Sequence, residues 1–178
     1  MKRAFTMLEL IFVLVVIGIL AAVIIPSTRT NPVAEASIDL LSKIRYTQHL
    51  ALVDDKYNDT NATWVLNRWQ IDFTTANQYT IQSNNGTLFA KDPQTGANLQ
   101  NIDMNTKYGV TLSFTNCGAN NILSFDHLGR PLVDTLTTLY GELMPSNNQC
   151  VINIAANGQD ADITISAETG YAKLVYNF

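Results

Sequence analysis

The sequence predicts an α+β fold, in which a long N-terminal helix packs on an antiparallel β-sheet. Three observations support this prediction. An apolar run, Leu10–Ile25, lies near the start of the chain, and a stripe of apolar residues at helical spacing follows it. From about residue 57 onward, apolar and polar residues alternate with a period of two, which is typical of half-buried strands. A helix followed by a run of strands is typical of α+β domains with an antiparallel sheet.

The first half of the predicted helix has the length of a membrane span. As a helix, Phe5–Ile25 would extend for about 31 Å, at about 1.5 Å per residue, and the hydrocarbon core of a bilayer is about 30 Å thick. The cations Lys2 and Arg3 precede this segment, and such cations stay on the cytoplasmic side of a membrane. The sequence therefore predicts a single membrane span, with the N-terminus in the cytoplasm and the rest of the chain exported.

Glu9 is an acid at the entrance to this apolar segment. A carboxylate in a spanning helix costs about 2.5–3.5 kcal/mol at the bilayer centre, so it normally has a partner. Cleavage between Ala4 and Phe5 would create an amine close to Glu9 on the same chain or on a neighbouring subunit, and pairing with a neighbour would make Glu9 a docking residue. The alternatives are a secretory signal cut near Ala21–Ala22, a plain membrane anchor and a buried globular helix.

The opening residues KRA/FTMLELIFVLVVIGILAAVIIP resemble the type III signal of type IV pilins and type II secretion pseudopilins. The resemblance implies that a prepilin peptidase cleaves between Ala4 and Phe5, that the new amine of Phe5 is methylated, and that Glu9 serves subunit assembly. Pro26 also fits the family pattern, whereas Ala4 stands where the family prefers Gly. The implied organisation is a leader at 1–4, a transmembrane and assembly helix at 5–26, the rest of the helix at 27–56 and a periplasmic β-rich domain at 57–178. The resemblance also implies a single-pass protein of the bacterial inner membrane, with its C-terminal domain in the periplasm.

The C-terminal half is similar to the H-type (GspH/FimT) minor pseudopilins in two short motifs. These are the turn Phe125–Pro131 and the late hairpin formed by Ile163–Ile165 and Glu168–Tyr171. The resemblance implies a structural subunit of a short periplasmic pilus-like filament in type II protein secretion, with no enzymatic activity and no cofactor. Its partners would be other pseudopilins, the prepilin peptidase and the inner-membrane assembly platform. The alternative is a minor pilin of a type IV pilus or DNA-uptake machine that contacts DNA.

The second half of the predicted helix follows a break at Pro26 and Pro32, because proline removes an N–H donor and disfavours helix in the residue before it. Helix should resume near Val33 and fade at Asp54–Asp55, where two acids oppose the helix dipole. The predicted apolar stripe consists of residues near helical spacing: Ile38, Leu41, Ile44, Arg45, Gln48 and Leu52.

Seven strands are predicted from alternating segments, and turn residues such as Asn84–Gly86, Asp126–Pro131, Asn157–Gly158 and Glu168–Gly170 separate them. The predicted strands are Arg68–Phe73, Tyr79–Ile81, Val110–Phe114, Ile122–Phe125, Val151–Ile154, Ile163–Ile165 and Tyr171–Tyr176.

Composition and cysteine content limit the class of function and the compartment further. Removal of the leader would lower Lys+Arg from 11 to 9 against 15 Asp+Glu, a side-chain balance of −6. That balance is not typical of a nucleic-acid binder, which would be basic. Cys117 and Cys150 both lie in the part predicted to be exported, where an oxidising compartment would let them pair. Two separate buried thiols are the alternative.

Candidate sites for catalysis and metal binding are weak. His49 lies on the predicted helix, and His127 follows Asp126 in a turn, but a catalytic site also needs a nucleophile and oxyanion donors. We expect Asp126 to cap its turn and His127 to be solvated. Asn157, Asp160 and Asp162 offer oxygens at a spacing that calcium could use, although Asn157–Gly158 reads more simply as a hairpin turn. We therefore expect no catalytic and no metal site.

Three further features remain. Asn61 and Thr63 form an N-x-T sequon with Asp59 two residues before the asparagine, an extended pattern that some bacteria glycosylate. Trp64 and Trp69 are expected to be buried in the core or against the sheet. A surface patch for DNA would require three basic residues to lie together: Arg68, Arg130 and Lys173.

Overall fold

The computed structural model describes residues 6–24, 31–61, 63–134, 136 and 143–178. The chain divides into two compact units, Met1–Asn31 and Pro32–Phe178. The first unit contributes one helix, α1 (Met7–Ile24), and the second unit contains all the other elements that the described residues form. The residues predicted for cleavage and methylation, Ala4 and Phe5, lie outside the described residues, as does Pro26.

The prediction of a long N-terminal helix with a membrane-spanning first half is wrong. Helix α1 has 18 residues, which at about 1.5 Å per residue gives about 27 Å, less than the bilayer core of about 30 Å. Among the residues that the structure describes, no helix combines the length and the hydropathy that a membrane crossing requires. The transmembrane helix and the single-pass inner-membrane location predicted from the sequence are corrected accordingly.

Helix α2 (Pro32–Val53) is a separate helix of 22 residues. It begins at Pro32, where a proline is well tolerated because the first N–H groups of a helix have no intrahelical partner. It ends next to Asp54, as the two acids at that end predict. The remaining described helices are short: α3 (Met104–Tyr108), which Asp103 caps by accepting from the N–H groups of Asn105 and Thr106, and the 3₁₀ helix Trp64–Asn67.

The larger sheet has six strands, and all of its pairings are antiparallel. The strands are β1 (Gln70–Asp72), β2 (Gln78–Ser83), β3 (Leu88–Phe89), β4 (Ile102–Asp103), β6 (Ile122–Phe125) and β7 (Pro131–Val133). Their order is β3-β2-β1-β6-β7, and β4 also pairs with β2. Along β2, every second side chain is buried, as a strand with one face on the core requires.

The smaller sheet has four antiparallel strands. They are β5 (Thr111–Thr115), β8 (Gln149–Ala156), β9 (Gln159–Ser166) and β10 (Ala172–Tyr176), in the order β10-β9-β8-β5. Strands β8 and β9 form a hairpin in which Ala156 pairs with Gln159. The two loop residues, Asn157 and Gly158, both have positive φ (54° and 79°), which is the backbone of a type I′ turn.

One hydrophobic core joins α2 to the inner faces of both sheets in the unit Pro32–Phe178. The helix contributes Val33, Leu40 and Ile44, which are fully buried. The larger sheet contributes Ile71, Tyr79, Ile81, Leu123 and Phe125, and the smaller sheet contributes Ile152, Ile154, Ile163 and Ile165. The observed architecture is thus a mixed α and β domain with antiparallel sheets, in which α2 takes the packing role predicted for the second half of the long helix.

Candidate functional site

Helix α1 exposes apolar side chains over the whole of its described surface. Every residue from Thr6 to Leu20 is exposed, including Phe12 at 68% and Leu14 at 61%. Twelve large apolar side chains belong to this set: Met7, Leu8, Leu10, Ile11, Phe12, Val13, Leu14, Val15, Val16, Ile17, Ile19 and Leu20. A helix that is apolar on all sides is normally covered by other chains or by a nonpolar environment, and exposed patches of this size mark interaction surfaces.

Thr6 and Glu9 form the start of α1. The hydroxyl oxygen of Thr6 accepts a hydrogen bond from the Glu9 backbone N–H at 3.3 Å, so Thr6 is the N-cap of the helix. Glu9 stands three residues after Thr6, which is the arrangement of a capping box. The Glu9 side chain is exposed. Sequence reasoning treated Glu9 only as a docking charge, although the T-x-x-E pattern that indicates a cap was present.

The cysteine prediction is confirmed. Cys117 and Cys150 form a disulfide whose Cα atoms lie 4.6 Å apart. Cys117 follows β5, and Cys150 lies in β8, the strand that pairs with β5. Both residues are buried, so the bridge links the end of β5 to its partner strand β8 inside the core.

The turn that follows β6 is built around the carboxylate of Asp126, which is 1% exposed. Its Oδ1 accepts from the backbone N–H groups of Leu128 at 3.0 Å and Arg130 at 2.8 Å, and its Oδ2 accepts from Arg130 Nε at 2.7 Å. The expectation that Asp126 caps its turn is confirmed. His127 and His49 are both exposed, and the bonds of Asp126 go to the turn and to Arg130.

The residues considered for calcium are engaged with amides. Asn153 Nδ2 donates to Asp160 at 2.9 Å and to Asp162 at 2.8 Å, and Asn177 Nδ2 donates to the same two carboxylates at 2.7 and 2.9 Å. Asn157 lies in the β8–β9 turn, as the simpler interpretation predicted. Within the described ranges, no three His, Cys, Asp or Glu residues are grouped closely enough to hold a metal ion.

The aromatic and basic candidates lie mostly inside the domain. Trp64 and Trp69 are 9% and 5% exposed, which confirms their predicted burial. Arg68 is 5% exposed, and its guanidinium lies 4.8 Å from the centre of the Trp64 ring. Arg130 is paired with Asp126, whereas Lys173 is exposed on β10. Two of the three residues proposed for a DNA patch therefore make contacts within the chain.

Gln48 of α2 forms hydrogen bonds with two turns whose proximity could not be predicted from the sequence. Its Nε2 donates to the carbonyl oxygen of Gly129 at 2.9 Å and to that of Thr169 at 3.1 Å. These turns belong to the two motifs, Phe125–Pro131 and Glu168–Tyr171, on which the H-type resemblance rests. The spacing of the two motifs in the sequence gives no signal that they meet, because the contact depends on how both sheets pack on α2.

Comparison of the chain with protein-family models, with curated proteins and with solved structures gives no match.

Proposed function

We propose that this chain is a minor pseudopilin, a structural subunit of a short pilus-like filament in type II protein secretion. The observation that carries this proposal is helix α1, whose described side chains are exposed on all sides and, apart from Glu9, are apolar. The pilin-like sequence around Glu9 supports the same function. A prepilin peptidase would process the chain between Ala4 and Phe5, an assembly platform would receive it, and α1 would pack against the equivalent helices of companion subunits.

The size of the exposed surface favours packing on several sides. Full burial of one large aliphatic side chain contributes about 1.5–3 kcal/mol. Covering half of the twelve exposed large apolar side chains of α1 would therefore contribute on the order of 10 kcal/mol. Association costs about 4–15 kcal/mol in lost freedom. Contact with one neighbour would barely offset that cost, whereas a bundle that surrounds α1 would exceed it. A filament core made of such helices meets this requirement.

Glu9 has two possible roles in this assembly, and they can be separated. A docking role needs its negative charge, which would pair with the N-terminal amine of a neighbouring subunit. A capping role needs only a hydrogen-bond acceptor at this position, and glutamine serves there as well as glutamate. Glu9→Gln removes the charge and keeps the acceptor, whereas Glu9→Ala removes both.

The test is incorporation of the full-length chain into filaments when it is co-expressed with companion pseudopilins. We expect Glu9→Gln and Glu9→Ala to reduce the filament-bound fraction equally, because charge pairing is lost in both. Glu35→Ala is the matched control, since Glu35 is an exposed acid in the first turn of α2, and we expect it to be incorporated normally. Normal incorporation of Glu9→Gln would refute charge docking, and failure of the unaltered chain to join any filament would refute the function.

DNA uptake is the alternative function, and the described contacts favour it less. Arg68 is stacked on Trp64 and Arg130 is paired with Asp126, which leaves Lys173 as the exposed member of the predicted patch. Non-specific DNA affinity grows with the number of phosphates that cations neutralise. Salt-sensitive retardation of DNA by the purified chain, lost in Lys173→Ala, would favour the alternative.

A further inference from the structure

The segment between α2 and the 3₁₀ helix is an exposed loop that its own side chains shape. Tyr57–Asn61 and Thr63 are all exposed. Within this loop Asn58 Oδ1 accepts from the Thr60 backbone N–H at 3.0 Å and from the Thr60 hydroxyl at 2.7 Å. Asn61 Oδ1 accepts from the same two groups of Thr63 at 3.0 and 2.8 Å. In both N-x-T sequons of the loop, the asparagine Oδ1 therefore accepts from the backbone N–H and from the hydroxyl of the threonine.

We infer that Asn61 is an acceptor site for an N-linked oligosaccharide. N-x-T is the sequon that oligosaccharyltransferases read, and it requires an accessible loop. In this loop the Thr63 hydroxyl already lies beside the Asn61 carboxamide. The hydroxyl engages Oδ1, and none of the described residues forms a hydrogen bond with Nδ2, which is the atom that would be modified.

Asp59 distinguishes Asn61 from the other sequons of the chain. It stands two residues before Asn61, whereas Lys56 stands two residues before Asn58. A carboxylate at this position can pair with a basic side chain of a transferase in a charge-assisted hydrogen bond, and a lysine would be repelled by the same group. The inference is therefore directed at transferases that read an extended acidic sequon.

The sequon at Asn85 provides a structural contrast. Asn85 lies in the β2–β3 turn with a positive φ of 55°, and its backbone N–H is bound to the carbonyl oxygen of Leu66. The Thr87 hydroxyl donates to the carbonyl oxygen of Asn84 instead of to the Asn85 carboxamide. This turn is fixed to its neighbours and directs the hydroxyl away from its asparagine, so we do not expect modification there.

The co-substrate would be an oligosaccharide carried on a polyprenyl diphosphate. A bond forms between Asn61 Nδ2 and C1 of the first sugar, while the bond between C1 and the phosphate oxygen breaks. The polyprenyl diphosphate leaves with that electron pair, and one Nδ2 proton passes to a base of the transferase. The Cys117–Cys150 disulfide is consistent with an oxidising compartment. The inference is independent of the assembly role of α1.

The test uses the purified, folded full-length chain in mild detergent. It is incubated with a bacterial oligosaccharyltransferase that requires the acidic sequon and with a polyprenyl-diphosphate-linked oligosaccharide of known mass. We expect the intact mass to increase by one oligosaccharide and peptide mapping to locate it at Asn61. We expect Asn61→Gln and Asp59→Asn to abolish the increase, and Asn58→Gln to leave it unchanged.

Two variants of Thr63 test the hydroxyl directly. Thr63→Ser keeps the hydroxyl and should still be modified, whereas Thr63→Val has a similar shape without the hydroxyl and should not. An unmodified chain, in a reaction where a control acceptor peptide is modified, would overturn the inference. Modification at Asn58 or Asn85 in place of Asn61 would overturn it as well.

Discussion

Gln48 Nε2 lies 2.9 Å from the carbonyl oxygen of Gly129, and this hydrogen bond attaches the turn after β6 to helix α2. The same nitrogen also holds Thr169, in the turn between β9 and β10. A side chain of α2 thus joins one turn from each sheet. The three segments approach so closely that a side chain on the neighbouring Gly170 would have no room.

Gly170→Ala should destabilise the domain more than a typical glycine substitution. Gly170 has a φ of +64°, and a Cβ there would overlap the carbonyl oxygen of Gly129 and lie 2.6 Å from Gln48 Nε2. The left-handed conformation costs an L-residue about 1–2 kcal/mol, and overpacking adds about 1–3 kcal/mol. Urea unfolding followed by the fluorescence of the buried Trp64 and Trp69 would measure the free energy of unfolding.

Gly158→Ala is the matched control for this experiment. Gly158 also has a positive φ, of +79°, but a Cβ added there would meet no other part of the domain within 4 Å. We expect only the conformational cost of about 1–2 kcal/mol. Equal losses in the two variants would mean that the close approach of Gly170 to Gly129 contributes nothing to stability.

Removal of the disulfide should lower stability without changing the fold. The double variant Cys117→Ala and Cys150→Ala opens a loop with a sequence separation of 33 residues. In the chain-entropy treatment, closing a loop of this length contributes about 3–4 kcal/mol by restricting the unfolded chain. We expect a lower urea midpoint and an unchanged circular dichroism spectrum. An unfolding free energy equal to that of the unaltered chain would contradict the stabilising role.

Lys43→Met should destabilise the domain and change its behaviour in acid. Lys43 Nζ lies 2.6 Å from Asp92 Oδ2, and both side chains are largely buried. Two hydrogen bonds lower the pKa of Asp92 from 3.8 to about 2: the larger effect comes from Lys43, and the next largest comes from the backbone N–H of Gln94. A hydrogen bond to a charged group contributes about 1.5–3 kcal/mol, so we expect a loss of this order near pH 7.

The pH dependence has a definite sign. Because the folded-state pKa of Asp92 lies below its unfolded value, its contribution is present above about pH 4 and is lost as the pH falls toward 2. Lys43→Met should flatten this part of the stability curve. Lys107→Met is the control, since the pair of Lys107 with Asp39 has a half-exposed lysine and should contribute less than about 1 kcal/mol. If the stability of Lys43→Met fell between about pH 4 and pH 2 as steeply as that of the unaltered chain, the assignment of this pH dependence to Asp92 would be contradicted.

The strands could be predicted from the sequence where they are long enough to alternate. Strand β6 (Ile122–Phe125) has the predicted bounds, and β8 and β9 extend the predicted segments at both ends. The strands that were missed have two or three residues. Among them, β7 begins with Pro131, which reads as a turn residue in sequence but is accepted at the edge of a sheet.

The buried face of α2 was predicted poorly. Ile38 and Leu52 were placed on the core face but are 58% and 49% exposed. The observed face consists of Val33, Ala36, Ser37, Leu40, Lys43, Ile44, Thr47 and Ala51. Ser37 and Thr47 satisfy their hydroxyls by donating to the carbonyl oxygens of Val33 and Lys43, so they can be buried. Hydrophobic periodicity gives no weight to small or self-satisfied polar residues, although these let a helix approach a sheet closely.

Some of the candidate sites could be predicted from the sequence, whereas others could not. The disulfide and the turn of Asp126 were predictable, because each depends on residue types with few alternatives. The membrane span was inferred from an apolar run whose helix, α1, proved too short. The junction at Gln48 could not be inferred, since its hydrogen bonds join segments far apart in the chain, with separations of 81 and 121 residues.

The core of Pro32–Phe178 begins at Val33 and, among the described residues, takes all its members from that unit. The free energy that folds this domain is therefore separate from the free energy gained when α1 is covered. In the proposed filament, substitutions in α1 should change the assembly equilibrium without altering any residue of this core. In the filament that we propose, such a subunit would be added or withdrawn as a folded body, so its exchange would need no unfolding.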